Sequence, residues 1–188
     1  MENKSLEWKT LGSEYLFRDT WLKVRKDRCQ RPDGKIVDPY YVMEYPDWVT
    51  GFGLTTHGEI ILIQQYRHAL GEDCIELPGG CVDAADKDLE HSVRREFLEE
   101  TGYVFKTAEY LGRTSSNPST NANILHMFLL TGGEKLQDQQ LDPNEEIHVL
   151  IVSMDEFTKM LSANKFIQSM HVTNFFFALQ KLGKLKLG

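Results

Sequence analysis

The stretch from Glu76 to Tyr103, ELPGGCVDAADKDLEHSVRREFLEETGY, constrains this chain more than any other. It opens as a Pro-Gly-Gly turn and closes as a helix carrying Glu96, Glu99 and Glu100 at i, i+3 and i+4. That spacing places the carboxylates on one helical face. Like charges so placed repel by about 0.2–0.5 kcal/mol per pair, so the cluster works against the helix that carries it. A divalent cation turns that repulsion into ligation. Hard cations such as Mg²⁺ take carboxylate oxygens and keep water and phosphate oxygens as their other ligands. Val93 and Phe97, at i and i+4, can bury the opposite side of the helix, and Gly102 suits the left-handed residue that ends one. A run such as REFLEE is by itself an ordinary solvated face, but its setting argues for chemistry. Gly79-Gly80 lets backbone approach a ligand closely. Arg95, i to i+4 with Glu99, can orient a carboxylate, and Asp86 in the preceding loop is a partner for Arg95.

These residues resemble the signature of the Nudix hydrolases, G-x5-E-x7-R-E-U-x-E-E-x-G-U with U apolar. Gly80, Arg95, Glu96, Phe97, Glu99, Glu100, Gly102 and Tyr103 match it. Asp86 stands where the early glutamate belongs, and one extra residue lies between it and Arg95. Both departures fall at the entry to the helix and leave the glutamate cluster whole. The resemblance covers about residues 45–182 and implies an α/β/α sandwich. Its mixed central sheet would carry the signature helix on one side and the C-terminal helix on the other. It also implies hydrolysis of the diphosphate bond of a nucleoside diphosphate derivative, with ADP-ribose or another ADP-sugar expected first. A different nucleotide sugar, a dinucleotide or an oxidised nucleotide is the alternative substrate. The implied cofactor is Mg²⁺, with Mn²⁺ as a substitute, held by Glu96, Glu99 and Glu100 with the Gly80 carbonyl as a further ligand. Two readings from other classes use the same scaffold. A nucleotide sensor would bind without hydrolysis, but such modules typically lose a glutamate of the cluster. An isomerase would look to a catalytic cysteine, Cys74 or Cys81.

With 188 residues and 41% apolar composition, the chain fits one domain with a short extension. The expected division is an N-terminal β extension over residues 1–45 and a Nudix hydrolase domain over 46–188. A formal charge of −7 argues against nucleic acid as a standing partner, since phosphate contacts need clustered Lys and Arg. It also means that an anionic small-molecule substrate must be drawn in by local cations or by the metal. Cys29, Cys74 and Cys81 are odd in number and lack C-x-x-C spacing, which suits a reducing, cytoplasmic setting. Met1–Thr10 has no apolar core of a secretory signal, and no apolar run is long enough to span a bilayer. Resemblance to enzymes acting on ADP-ribose implies a homodimer joined through the N-terminal strands.

Along the chain, Trp21–Asp27 alternates apolar and polar residues, Arg31–Lys35 is a turn, and Tyr40–Tyr45 is the partner strand. Trp48–Thr56 is the next strand, and Trp48 is a candidate for adenine stacking. His57-Gly58 turns the chain into Glu59–Arg67, whose unbroken Ile60–Ile63 suggests a strand covered on both faces. Arg67 closes that strand before the signature loop. A strand end like QYR recurs in Nudix enzymes acting on ADP-ribose-like substrates, so Arg67 is expected at the phosphates or the base. Glu76 reads as an outer contact of the metal or as a strand-end charge. Pro118, in a polar loop, lies near the marker proline of ADP-ribose pyrophosphatases. A buried strand is expected over Ile124–Leu130. A long loop from Gly132 to Glu146 then ends at Glu145-Glu146, directly before the strand Ile147–Val152. By position either glutamate, or one of the helix glutamates, is the general base or a further metal contact. Met154–Leu161 reads as a helix capped by Ser153. A last helix over Ser169–Leu182 presents Phe175, Phe176, Leu179 and Leu182 as its core face.

Overall fold

Alternating residues joined by tight turns build the N-terminal part. In the computed structural model, which describes residues 5–185, strands β1 (Lys9–Arg18), β2 (Lys23–Gln30) and β3 (Ile36–Glu44) form an antiparallel sheet in that order. The β2–β3 hairpin falls where the turn signal places it, but β2 begins later than Trp21. The Asp19 carboxylate accepts hydrogen bonds from the Trp21 and Leu22 N–H groups at 2.8 and 2.7 Å, holding both in the turn. Arg25 is paired with Asp27 on its own strand and with Glu44 on β3. Residues 117–123 belong to this unit. The Met43 N–H donates to the Thr120 carbonyl at 2.7 Å, and the Tyr40 hydroxyl donates to the Ser119 carbonyl at 2.6 Å.

The second unit, residues 47–116 and 124–185, is built on an eight-stranded sheet. Its strands are β4 (Trp48–Thr55), β5 (Ile60–Arg67), β6 (Glu72–Glu76), β7 (Gly79–Cys81), β8 (Tyr103–Val104), β9 (Thr107–Thr114), β10 (Leu125–Lys135) and β11 (Ile147–Val152). The order is β11-β5-β4-β10-β8, with β6 paired to β5, β7 to β4 and β9 to β10. Strands β4 and β10 run parallel and the other pairs antiparallel, so the sheet is mixed. Helix α1 (Leu89–Thr101) follows β7, while α2 (Met154–Ser162) and α3 (Ser169–Lys181) close the chain.

Side-chain alternation along β5 divides the core into two layers. Ile61 joins Val49, Phe128 and Leu130 beneath Val93 and Phe97 of α1. Ile60 and Leu62 point the other way, onto Phe157 of α2 and Phe175 and Ala178 of α3. All of Ile60–Ile63 is fully buried, so the α/β/α sandwich holds. On the second side, Phe52, Phe157, Phe166 and Phe175 meet edge to face at centroid separations such as 4.7 Å and 5.5 Å.

Some expectations are corrected. Phe176 is 50% exposed, because one step of about 100° carries it off the stripe formed by Met170, Asn174, Phe175 and Ala178. Gly132–Lys135 belongs to β10, which shortens the long loop to residues 136–146. The short strands β6, β7 and β9 lie where no strand is legible in the sequence.

Helix α1 lies flush on β4 because Gly51 has no side chain. A Cβ at Gly51 would stand 2.6 Å from the Phe97 ring and 2.2 Å from a Leu130 methyl. Gly51→Ala therefore destabilises the fold by about 1–3 kcal/mol, although alanine is the better strand residue. Phe97→Ala costs about 3–5 kcal/mol, and the double variant is more stable than the sum of the two losses, since the ring is one of the two groups the methyl strikes and its removal lets the Leu130 methyl shift into the space. Urea unfolding of the single and double variants measures this; strict additivity contradicts it.

Candidate active site

Strand β7 is so short that two helices and β4 must hold it in place. The Thr50 hydroxyl donates to the Pro78 carbonyl at 2.9 Å, and the Gly51 N–H reaches the same carbonyl at 3.2 Å. From α1, Glu100 accepts the Gly79 N–H at 2.8 Å. Glu96 packs against Gly80, where a Cβ would lie 2.7 Å from a carboxylate oxygen. Glycine thus leaves room for the carboxylate, which a side chain here would push aside. The structure brings together Gly80, Glu96 and Glu100 as the spacing foretells.

Arg95 organises the other side of the helix. Its guanidinium donates to both Asp86 oxygens at 3.1 Å, to the Cys81 carbonyl at 3.0 Å and to Glu99 at 2.9 Å, and it pairs with Glu96 at 2.9 Å. The extra residue before Arg95 is absorbed locally. Asp86 accepts the Asp83 N–H at 3.0 Å, and Asp88 caps α1 by accepting the His91 N–H at 2.8 Å. Glu99 is thereby turned toward Arg95 with its side chain 41% exposed. The three helix glutamates do not point at one spot. Among the described residues, no three acidic, histidine or cysteine side chains are arranged to hold a metal ion together.

Burial sets the charge state of this face. Desolvation pushes the Glu96 carboxyl up to about 7; Arg95 pulls it back, while the charges on Glu99 and Glu145 add to the rise. Desolvation likewise raises Glu100 well above its ordinary range, against the Gly79 N–H, with Glu96 and Glu145 adding repulsion. Of the two loop glutamates, Glu145 is the one whose charge reaches both helix carboxylates. Its carboxylate accepts the Asp142 N–H at 3.1 Å. Asp86 moves the opposite way, held far below the usual carboxylate range by the Arg95 guanidinium. The donor set around β7 is hard oxygen, crowded and poorly hydrated. It fits a divalent cation, whose charge would offset the desolvation, and with it the repulsion, that favours the protonated forms of Glu96 and Glu100.

Arg67 does not stand free as expected. Its guanidinium grips the buried Glu76 carboxylate, at 2.5 Å from Nη2 and 3.2 Å from Nε, and the Gln65 amide adds a third contact at 3.2 Å. Arg67 remains 44% exposed at its side chain, and its charge also favours ionised Glu100. Trp48 packs against Leu125, Met127 and Met170 and interacts with Cys81. Pro118 is exposed in the segment 117–123 that belongs with the N-terminal sheet. Burial pushes both the Cys74 and the Cys81 thiols up, leaving them protonated at neutral pH.

Two residues escaped the sequence reading. From α3, His171 accepts the Leu77 N–H on Nδ1 at 3.2 Å, and Asn174 donates to the Thr50 carbonyl at 3.3 Å. Burial lowers His171 to about 4, so it is a neutral acceptor. Their signal was present: a histidine and an asparagine at i, i+3 on the stripe that also carries Phe175 and Ala178.

Comparison with known proteins follows this geometry. The family model described as NUDIX domain matches residues 48–170, more than half of the chain. The model described as nucleoside diphosphate sugar hydrolase N-terminal domain matches residues 8–43. An ADP-ribose pyrophosphatase of Bacillus subtilis is 27% identical over 163 residues, covering 86% of this chain and 87% of that protein. A methanol dehydrogenase activator of Bacillus methanolicus is 25% identical, covering 88% and 89%. A GDP-mannose pyrophosphatase of Yersinia enterocolitica is 25% identical, covering 84% and 87%. A crystal structure of an ADP compounds hydrolase superposes with a TM-score of 0.82 over 97% of this chain and 100% of its own, at 18% identity. The Arg95 network, the carboxylates packed on β7 and the matched domain identify the chain as a member of the Nudix hydrolase family.

Proposed function

We propose that this enzyme hydrolyses the diphosphate bond of an ADP-sugar, ADP-ribose first, with Mg²⁺ as its cofactor and Mn²⁺ as a substitute. The observation that carries the reading is the pair of desolvated carboxylates, Glu96 and Glu100, pressed against the glycine strand β7. Similarity to proteins named ADP-ribose pyrophosphatase supports the substrate, and a relative named GDP-mannose pyrophosphatase keeps other nucleotide sugars next in line. Glu96 and Glu100 would hold the metal, with the Gly80 carbonyl as a further ligand, and Glu99 would join them by turning away from Arg95. When bound, the ion neutralises charge on the diphosphate and lowers the pKa of a coordinated water.

This chain's own groups do the rest. Arg67, anchored on Glu76, carries a cation that attracts the phosphates. Arg95 fixes Glu96 and Glu99 and ties the helix entry to Asp86. Glu145 takes the proton of the attacking water, help worth about 10²–10⁴-fold; Glu146, beside it, is the alternative base. Trp48 would contact the adenosine half. The molecule works in the cytoplasm, in keeping with its free cysteines. It pairs as a homodimer through the N-terminal strands, which expose Trp8, Leu11, Leu16 and Phe17. A panel of nucleoside diphosphate derivatives, incubated with Mg²⁺ and read by mass, tests the substrate. AMP and ribose 5-phosphate from ADP-ribose are expected; calorimetric binding with no product would instead make the protein a sensor.

Glu100→Gln should lower metal-dependent kcat by more than about 100-fold while leaving circular dichroism and Tm intact, because the amide has the carboxyl's shape and its oxygen can still accept the Gly79 N–H. Near-normal turnover in that variant removes the metal site from the account.

Stability should also depend on pH. Folding raises the carboxyl of Glu96 from its ordinary 4.5 to about 7. Through that window the native state keeps a proton that the unfolded chain has released, so metal-free stability falls as pH rises. Asp86 has the opposite shift, and its contribution is already complete at the lower end of the window. His171, lowered by burial from 6.5 to about 4, acts the other way up to its ordinary value, so the loss is read above it: the Tm in EDTA should drop from pH 6.5 to pH 8. Excess Mg²⁺ should raise Tm more at pH 8 than at pH 5, since metal and proton compete. Equal Mg²⁺ shifts at the two pH values contradict this.

A further inference from the structure

Helix α1 ends at Gly102, whose φ of 77° is left-handed, and its last carbonyls are not left to solvent. The Leu136 N–H donates to the Gly102 carbonyl at 2.8 Å, and the Gln140 N–H donates to the Glu99 carbonyl at 2.8 Å. The first half of the loop 136–146 thus lies along the helix end. A Cβ at Gly102 would fall 2.0 Å from the Gln137 carbonyl, so the contact tolerates no side chain there. One side chain completes it. The amide nitrogen of Gln139 donates to the Glu100 carbonyl at 2.6 Å and to the Ile147 carbonyl at 3.0 Å. Both hydrogens of a single –NH₂ are therefore used, one on the helix turn that bears Glu100 and one on the first residue of β11. Between those two fixed points the chain makes a short excursion through residues 141–146, carrying Glu145 and Glu146.

We infer that Gln139 is a positioning residue that closes the base of this excursion and sets Glu145 at a fixed distance from Glu100. A loop of exposed residues has few restraints of its own, and residues 142–146 are all exposed. The Asp142–Glu145 hydrogen bonds shape the turn itself, and the ends of the excursion determine where that turn sits. Ile147 is held on one side by pairing with Gln65 of β5, and Gln140 on the other by the Glu99 carbonyl. Gln139 ties these two anchors together, so that helix and loop move as one piece. Glutamine suits the task because its amide carries two donors in one plane and no charge. A methionine of similar length fills the space but donates nothing.

This inference rests on the proposed hydrolysis, and the experiment separates the two. Kinetics are measured with Mg²⁺ and ADP-ribose for wild type, Gln139→Met, Glu145→Gln and the double variant, with Tm recorded for each. Gln139→Met should lower kcat about 10–100-fold, the range for a misplaced base, with KM within about twofold and Tm within a few degrees. In the Glu145→Gln background the same change should cost less than about twofold, because there is no longer a base to misplace. A Gln139→Met effect that is equally large in both backgrounds, that falls on KM alone or that follows a collapse in Tm overturns the inference. So does a silent Glu145→Gln, since the tether would then deliver nothing. The proposed hydrolysis is judged by Glu100→Gln and survives either result.

Discussion

Everything at this site depends on two carboxylates that are kept away from water. Glu96 and Glu100 are pressed onto β7 by the packing of α1 on β4, where Gly51 leaves room for Phe97 and Gly80 leaves room for the Glu96 carboxyl. In such a place ionisation is expensive, because desolvation removes the stabilising solvent and neighbouring negative charges add repulsion. The same two facts make the place selective for a small hard cation, which gains most where carboxylates are most in need of a counter-charge. Stability of the unliganded chain and affinity for metal therefore pull in opposite directions at one face of one helix.

The fold serves that face from both sides. From below α1, Val93 and Phe97 fix its distance from the sheet. From the far side of the sheet, α3 reaches the Leu77 turn through His171 and strand β4 through Asn174, so the segment leading into β7 and the strand it pairs with are held by groups from two opposite layers. Arg67 and Glu76 lock the end of β5 to the end of β6, immediately before the loop. Cations near the site are thus each committed to an acidic partner, Arg95 to Asp86 and Arg67 to Glu76. With a formal charge of −7 on the chain, the attraction of an anionic substrate must come from this region.

Much of this was legible in the sequence, for reasons that can be named. The glutamate spacing, Gly102 and the apolar pair Val93/Phe97 are local signals, and α1 appears where they place it. Ile60–Ile63 announced a doubly covered strand because periodicity is lost only when both faces are buried. Ser153 announced α2, and it does accept the Glu156 N–H at 3.2 Å. What escaped is what depends on distant partners. The strand β7 exists only because β4 and Glu100 give its backbone somewhere to bond. The pairing of Arg67 with Glu76 was not legible because β6, which folds back on β5 to bring the two together, carries no strand signal. Phe176 looked like core because neighbouring phenylalanines are indistinguishable until the helix phase is fixed. The insertion before Arg95 looked disruptive, but the Asp83–Asp86 turn takes it up without disturbing the ion pair.

The most direct test of the central claim uses a paramagnetic ion in place of magnesium. Substoichiometric Mn²⁺ is added to isotope-labelled protein, and amide signals are followed by NMR as they broaden with proximity to the bound ion. Resonances of Gly79, Gly80, Glu96 and Glu100 should disappear first. If those four signals persist while others vanish, the carboxylates packed on the glycine strand are not where the metal sits.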